Sequence, residues 1–169
     1  MSAAGFVMRA LVPEDLPGLT NLWVAAWRAI GLPVDFEARR PWLAAHLVQL
    51  AADGAEIIVA EDARGGLAGF VTIDRQSGFL DQLCVAPERQ GSGIARLLLG
   101  EARSRAPGVV RLEVNSDNPR ARQLYLRAGF VETGKSFSSA SGLPTLQMEW
   151  RDASGLRSAG TEDEITRAP

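Results

Sequence analysis

The stretch that most constrains this chain is Phe79 to Arg105, FLDQLCVAPERQGSGIARLLLGEARSR. It begins with β-prone residues up to Val85, and Pro87 stops strand pairing. QGSGIA then makes a glycine-containing turn, and an apolar helix follows from about Ile94 to Arg105. A strand that passes through glycines into a helix offers free backbone N–H groups at the positive end of a helix dipole, a ready site for phosphate. The turn is not the dinucleotide fingerprint, because Arg96 stands where G-x-G-x-x-G needs its third glycine. Nor does a Gly-Lys-Ser/Thr sequence follow, as a nucleoside-triphosphate loop requires.

Proline and glycine punctuate the rest. Gly5–Leu11 reads as a strand. Pro13-Glu14-Asp15 opens a helix whose Leu16, Leu19, Trp23, Ala26, Trp27 and Ile30 fall at helical spacing, and Gly31 ends it. Past Pro33 comes a second helical stretch that Asp35 can cap; Pro41 either starts a new helix or kinks this one, and Leu43, Leu47 and Leu50 line its apolar face. Trp42 and His46 lie four apart on a neighbouring face. Ala55–Glu61 and Leu67–Asp74 are strands around an Asp62–Gly66 turn. Beyond Pro107-Gly108, Val109–Asn115 alternates as a strand. Asn118-Pro119 caps and starts a short helix closed by Gly129, and Phe130–Phe137 and Leu143–Arg151 are the last strands. The order β-α-α-β-β-β-α-β-α-β-β predicts an α/β (α+β) fold in which one mixed sheet has helices on its faces.

Of the 169 residues 46% are hydrophobic, and the formal charge is −2, which argues against nucleic acid or an anionic membrane as partner. No apolar run approaches the roughly 18–20 residues that span a bilayer, and the N-terminus has no basic-then-apolar leader pattern. A single cysteine, Cys84, excludes an internal disulfide and suits a reducing cytoplasm; with one histidine it makes no ordinary zinc site. Arginine far outnumbers lysine, in keeping with a GC-rich bacterial genome. From Asp152 the composition turns to Ser, Gly, Ala, Thr and acids, so residues 1–151 are expected to form one domain and 152–169 a flexible tail.

Gln90, Gly91, Ser92, Gly93, Ile94 and Ala95 match Gln/Arg-x-x-Gly-x-Gly/Ala, and with LCVAP before it the stretch resembles the acetyl-CoA-binding motif of the GNAT superfamily of N-acetyltransferases. Asn118, Ala121, Tyr125, Gly129 and Phe130 resemble that family's second signature, Asn-x-x-Ala-x-x-x-Tyr-x-x-x-Gly-Phe. The resemblance covers about residues 5–151. It implies a mostly antiparallel sheet of about seven strands flanked by about four helices, and direct transfer of an acetyl group from acetyl-CoA to a primary amine of a small molecule or peptide. Residues 90–95 would cradle the diphosphate, Leu83, Cys84 and Val85 would pair with the pantetheine arm, and Asn118 would steady the donor from the next strand. Tyr125 would protonate the departing thiolate; a phenol with a pKa near ~10 can donate at neutral pH.

Asp81 is the candidate base, sharing by strand alternation a face with Leu83 and Val85. A solvated strand-end aspartate is the alternative. Glu113 is a second candidate, more readily read as an ion-pair partner of an arginine. Cys84 reads as a small buried apolar side chain, His46 as a helix-surface or core histidine, and Trp23, Trp27 and Trp42 as core with one of them able to wall the acceptor pocket. Arg120 and Arg122 could meet the 3′-phosphate or simply face solvent. No metal is expected, and the protein would act as a monomer or homodimer. A non-catalytic acyl-CoA-binding sensor is the alternative reading; it would not need both Tyr125 and Asp81.

Overall fold

The computed structural model describes residues 5–154. Seven strands and four α-helices occur in the order expected: β1 (Phe6–Ala10), α1 (Leu16–Ile30), α2 (Arg40–Ala52), β2 (Ala55–Asp62), β3 (Leu67–Asp74), β4 (Leu83–Val85), α3 (Ile94–Arg105), β5 (Val109–Asn115), α4 (Pro119–Arg127), β6 (Val131–Phe137) and β7 (Pro144–Arg151). The expected tail lies outside the described residues except for Asp152–Ser154.

β2 and β3 are nearly continuous apolar runs because both of their faces are covered. Ile58 and Ala60 pack in a cluster with Leu98, Leu99 and Tyr125. Their sequence neighbours Ile57 and Val59 pack in a second cluster with Leu19, Leu43 and Phe70. α1 and α2 thus cover one face of the sheet, and α3 and α4 the other. Phe70 is fully buried, and truncating it to alanine would cost about 3–5 kcal/mol. β1 is tied to the start of α1 by Arg9, whose guanidinium holds the buried Asp15 carboxylate at 2.7 and 2.9 Å and reaches Glu61 at 2.6 Å. That guanidinium holds the Asp15 carboxyl below the usual carboxylate range, and the Val12 N–H bond works in the same direction.

The strands do not make one uninterrupted sheet. β1-β2-β3-β4 form one antiparallel sheet and β5-β7-β6 another, joined by a single parallel bridge between Phe79 and Arg111. At this vertex Leu80 N–H donates to Arg111 O at 2.8 Å and Arg111 N–H to Gly78 O at 2.9 Å. Beyond Leu80 no backbone hydrogen bond among the described residues links β4 to β5, and the two strands diverge.

The expected strand from Phe79 is therefore shortened to Leu83–Val85. The cause lies on β3: Gln82 N–H donates to the Thr72 hydroxyl at 2.9 Å, while Thr72 N–H donates to Gln82 O at 2.9 Å. A side chain has intercepted one rung of the ladder, and by the next rung, Asp74 N–H to Phe79 O, the register has slipped by one residue.

Candidate active site

The divergence of β4 and β5 opens a cavity of about 1370 Å³. Pockets that hold one drug-sized ligand run to ~300–1,000 Å³, and this one is larger. The β4 edge supplies one wall. Ala86 N–H donates to Ala68 O and Thr72 N–H to Gln82 O, so by alternation the Cys84 backbone faces β3. Leu83 and Val85 turn their N–H and C=O groups to the gap. An extended amide chain thus finds pairing groups at Leu83 and Val85, not at Cys84. The Cys84 side chain is buried, and burial pushes its thiol up to about 12, which suits packing rather than nucleophilic attack.

The turn forms the next wall. Gly91 and Gly93 adopt φ of 81° and 88°, a region glycine enters at no steric cost. A Cβ at either position would meet nothing within 4 Å, so the side-chain space is open. Gln90 N–H is used by Pro87 O, and Ser92 spends both its N–H and its hydroxyl on Arg89 O. The N–H groups of Gly91, Gly93, Ile94 and Ala95 have no partner among the described residues. Free N–H groups at a helix start are of the kind that bind anions, and the Ile94 side chain anchors this turn in the core. Gln90 reaches the cavity through its side chain, whose Oε1 accepts from Arg120. Arg122 is instead paired with Glu132.

Asn118 caps α4 as expected, its Oδ1 accepting from Ala121 N–H at 3.1 Å, and it lines the cavity. One helix length further, Tyr125 is buried, with its ring edge-on to Phe130 at 5.4 Å. Its hydroxyl has no hydrogen-bond partner among the described residues. It is not sealed off either: Arg103 Nε is the one enclosed side-chain polar atom left without a partner among them. Tyr125 is among the residues that line the cavity. Burial, with a smaller contribution from Cys84, raises its pKa above the ordinary value.

Asp81 also lines the cavity, but not by strand alternation with Leu83 and Val85. Its carboxylate meets α2, where Oδ1 lies 2.7 Å from His46 Nε2 and accepts from Gln82 Nε2 at 3.0 Å. Gln82 Oε1 in turn accepts from Trp23 Nε1 at 3.2 Å. His46 stacks on Trp42 at 4.6 Å and 14°. The histidine read as a surface or core residue is thus part of the site, and the spacing of Trp42 and His46 was the available signal. Glu113 lines the cavity and accepts from the Thr145 hydroxyl at 3.4 Å; the ion pair expected for it is not formed among the described residues.

A helix start with free N–H groups, a free strand edge and a buried tyrosine line one cleft. The chain belongs to the GNAT acetyltransferase family: the profile described as Acetyltransferase (GNAT) domain matches residues 41–151. It is 30% identical over 125 residues to the peptidyl-lysine N-acetyltransferase YjaB of Salmonella typhimurium, covering 72% of this chain and 83% of that protein. It is 38% identical over 87 residues to the spermidine N(1)-acetyltransferase of Vibrio cholerae, covering 45% and 49%. Against the first curated relatives it matches, the chain spans about half their length. The solution structure of apo-form YjaB from Escherichia coli superimposes with a TM-score of 0.69 at 25% identity, covering 88% of this chain and 99% of that one.

Proposed function

We propose that this protein transfers the acetyl group of acetyl-CoA to a primary amine by direct attack while both substrates are bound. The observation that carries the reading is the shared cavity: Tyr125 lines the same space as the turn whose four N–H groups at the start of α3 are free. Gly91, Gly93, Ile94 and Ala95 hold the diphosphate. Leu83 and Val85 align the pantetheine arm, and a free N–H of that edge polarises the thioester carbonyl as negative charge develops on its oxygen. The amine nitrogen forms the new C–N bond, the C–S bond breaks, and the Tyr125 hydroxyl delivers a proton to the leaving sulfur. The proton lost by the amine is taken by the Asp81–His46 pair, directly or through water. Burial keeps Tyr125 protonated at neutral pH, the state this role needs.

The setting that goes with this reading is the bacterial cytoplasm, with the protein a monomer or homodimer and no nucleic-acid or membrane partner. No described helix is long and apolar enough to cross a membrane.

Tyr125→Phe tests the proposal. Turnover in a thiol-release assay should fall roughly 10–10⁴-fold with CoA affinity kept. Unchanged single-turnover rates would remove the acid role, and a protein that binds CoA yet acetylates no amine would be a sensor instead.

A further inference from the structure

The acceptor end of the cavity differs in chemistry from the donor end. Trp23, Trp27 and Trp42, three of the four tryptophans in the chain, line it together with Phe36. Trp27 stacks on Phe36 at 5.3 Å and 20°, and Trp23 meets Phe36 edge-on at 5.4 Å. Trp42 rests on His46 but keeps 36% of its surface exposed. Core packing explains Trp23; it does not explain an indole held open on a cavity wall beside Asp81.

The charges are as telling. Asp81 and Glu113 are the two carboxylates that line the cavity. Arg39 lines the same end and has no carboxylate partner among the described residues, whereas its neighbours Arg28 and Arg40 both pair with Glu37.

Resting on the transferase reading above, we infer that the acceptor is a small, singly charged primary amine carried on a flat apolar body, an arylalkylamine. Its ring packs in offset or edge-on contact with Trp42 and Trp27. Its ammonium, before losing a proton, is drawn to the indole faces and to Asp81. A polyamine or a basic peptide brings further cations that need carboxylates of their own, and Arg39 repels them.

The test begins with CoA binding by calorimetry. Thiol release from acetyl-CoA is then compared for 2-phenylethylamine, tryptamine, n-propylamine, spermidine and a lysine peptide. The arylalkylamines should exceed the others in kcat/KM by roughly tenfold or more. Trp42→Ala should raise KM for 2-phenylethylamine about tenfold and leave KM for acetyl-CoA within about twofold, and Trp42→Phe should recover most of the loss. Preference for spermidine or the peptide, or an unmoved amine KM in Trp42→Ala, overturns the acceptor class alone. Failure to bind CoA refutes the donor site and this inference with it.

Discussion

Gly93→Ala separates the backbone's own requirement for glycine from the ligand's. Gly93 sits at φ 88° directly before α3. An L-residue in the left-handed region costs about 1–2 kcal/mol, and the new methyl meets nothing within 4 Å, so no clash adds to it. At about 2–4 °C per kcal/mol for a chain of this size, the melting temperature should fall by roughly 2–8 °C. The binding loss should be larger. A methyl in the mouth of the cradle displaces the anion from at least one charge-assisted N–H bond, worth about 1.5–3 kcal/mol, or about 10- to 100-fold in affinity for CoA. Gly100→Ala is the control: that glycine lies inside α3 with open space around it, so stability should rise by about 0.5–1 kcal/mol with affinity unchanged. Calorimetric titration and thermal melts of both variants decide the matter. A Gly93→Ala protein that is less stable yet binds CoA within about threefold of the parent would show that the turn needs glycine only for its own shape, and the cradle would be abandoned.

Other expectations follow from the same geometry. Because the Asp15 carboxyl is held low by Arg9, its contribution is present above the unfolded pKa of ~3.9 and is lost as pH falls through the lower folded value. Asp15→Asn should cost about 1–3 kcal/mol at pH 7 and flatten the acid limb of a stability–pH curve; an acid limb of unchanged steepness would refute the link. Cys84→Ala should keep turnover within a few-fold and the native protein should alkylate slowly, since its thiol titrates near 12; loss of activity would point to an acyl-enzyme. Asp81→Asn and His46→Gln should each lower kcat/KM, and the double variant should lose less than the product of the two, because the side chains are in direct contact; fully multiplicative losses would refute the coupling. Gly69→Ala should destabilise strongly, because its Cβ would come within 2.6 Å of Cys84 O; a wild-type melting curve would contradict the β3–β4 contact.

The fold was legible wherever punctuation was local. β3, α3 and β5 run between the residues the sequence marks, because Gly65-Gly66, Gly93, Pro107-Gly108 and the Asn118 cap act within a turn of their own position. What failed was the continuity of the strand before the turn. Alternation assumes an unbroken ladder, and the Thr72 hydroxyl breaks it from ten residues away. The site was half readable for the same reason. The glycine turn and Tyr125 lie in motifs contiguous in sequence. The approach of His46 to Asp81 spans 35 positions and exists only once α2 has packed on the sheet. Which N–H groups stay free is likewise a tertiary fact: the sequence offers six residues in the turn, and the fold spends the Gln90 and Ser92 amides internally.

A sheet that parts between two neighbouring strands is also a wall with a doorway through it. Helices α3 and α4 stand on one side and α1 and α2 on the other, and residues from both sides line the single cavity at that gap. On the transferase reading proposed above, that one gap serves carrier and acceptor alike.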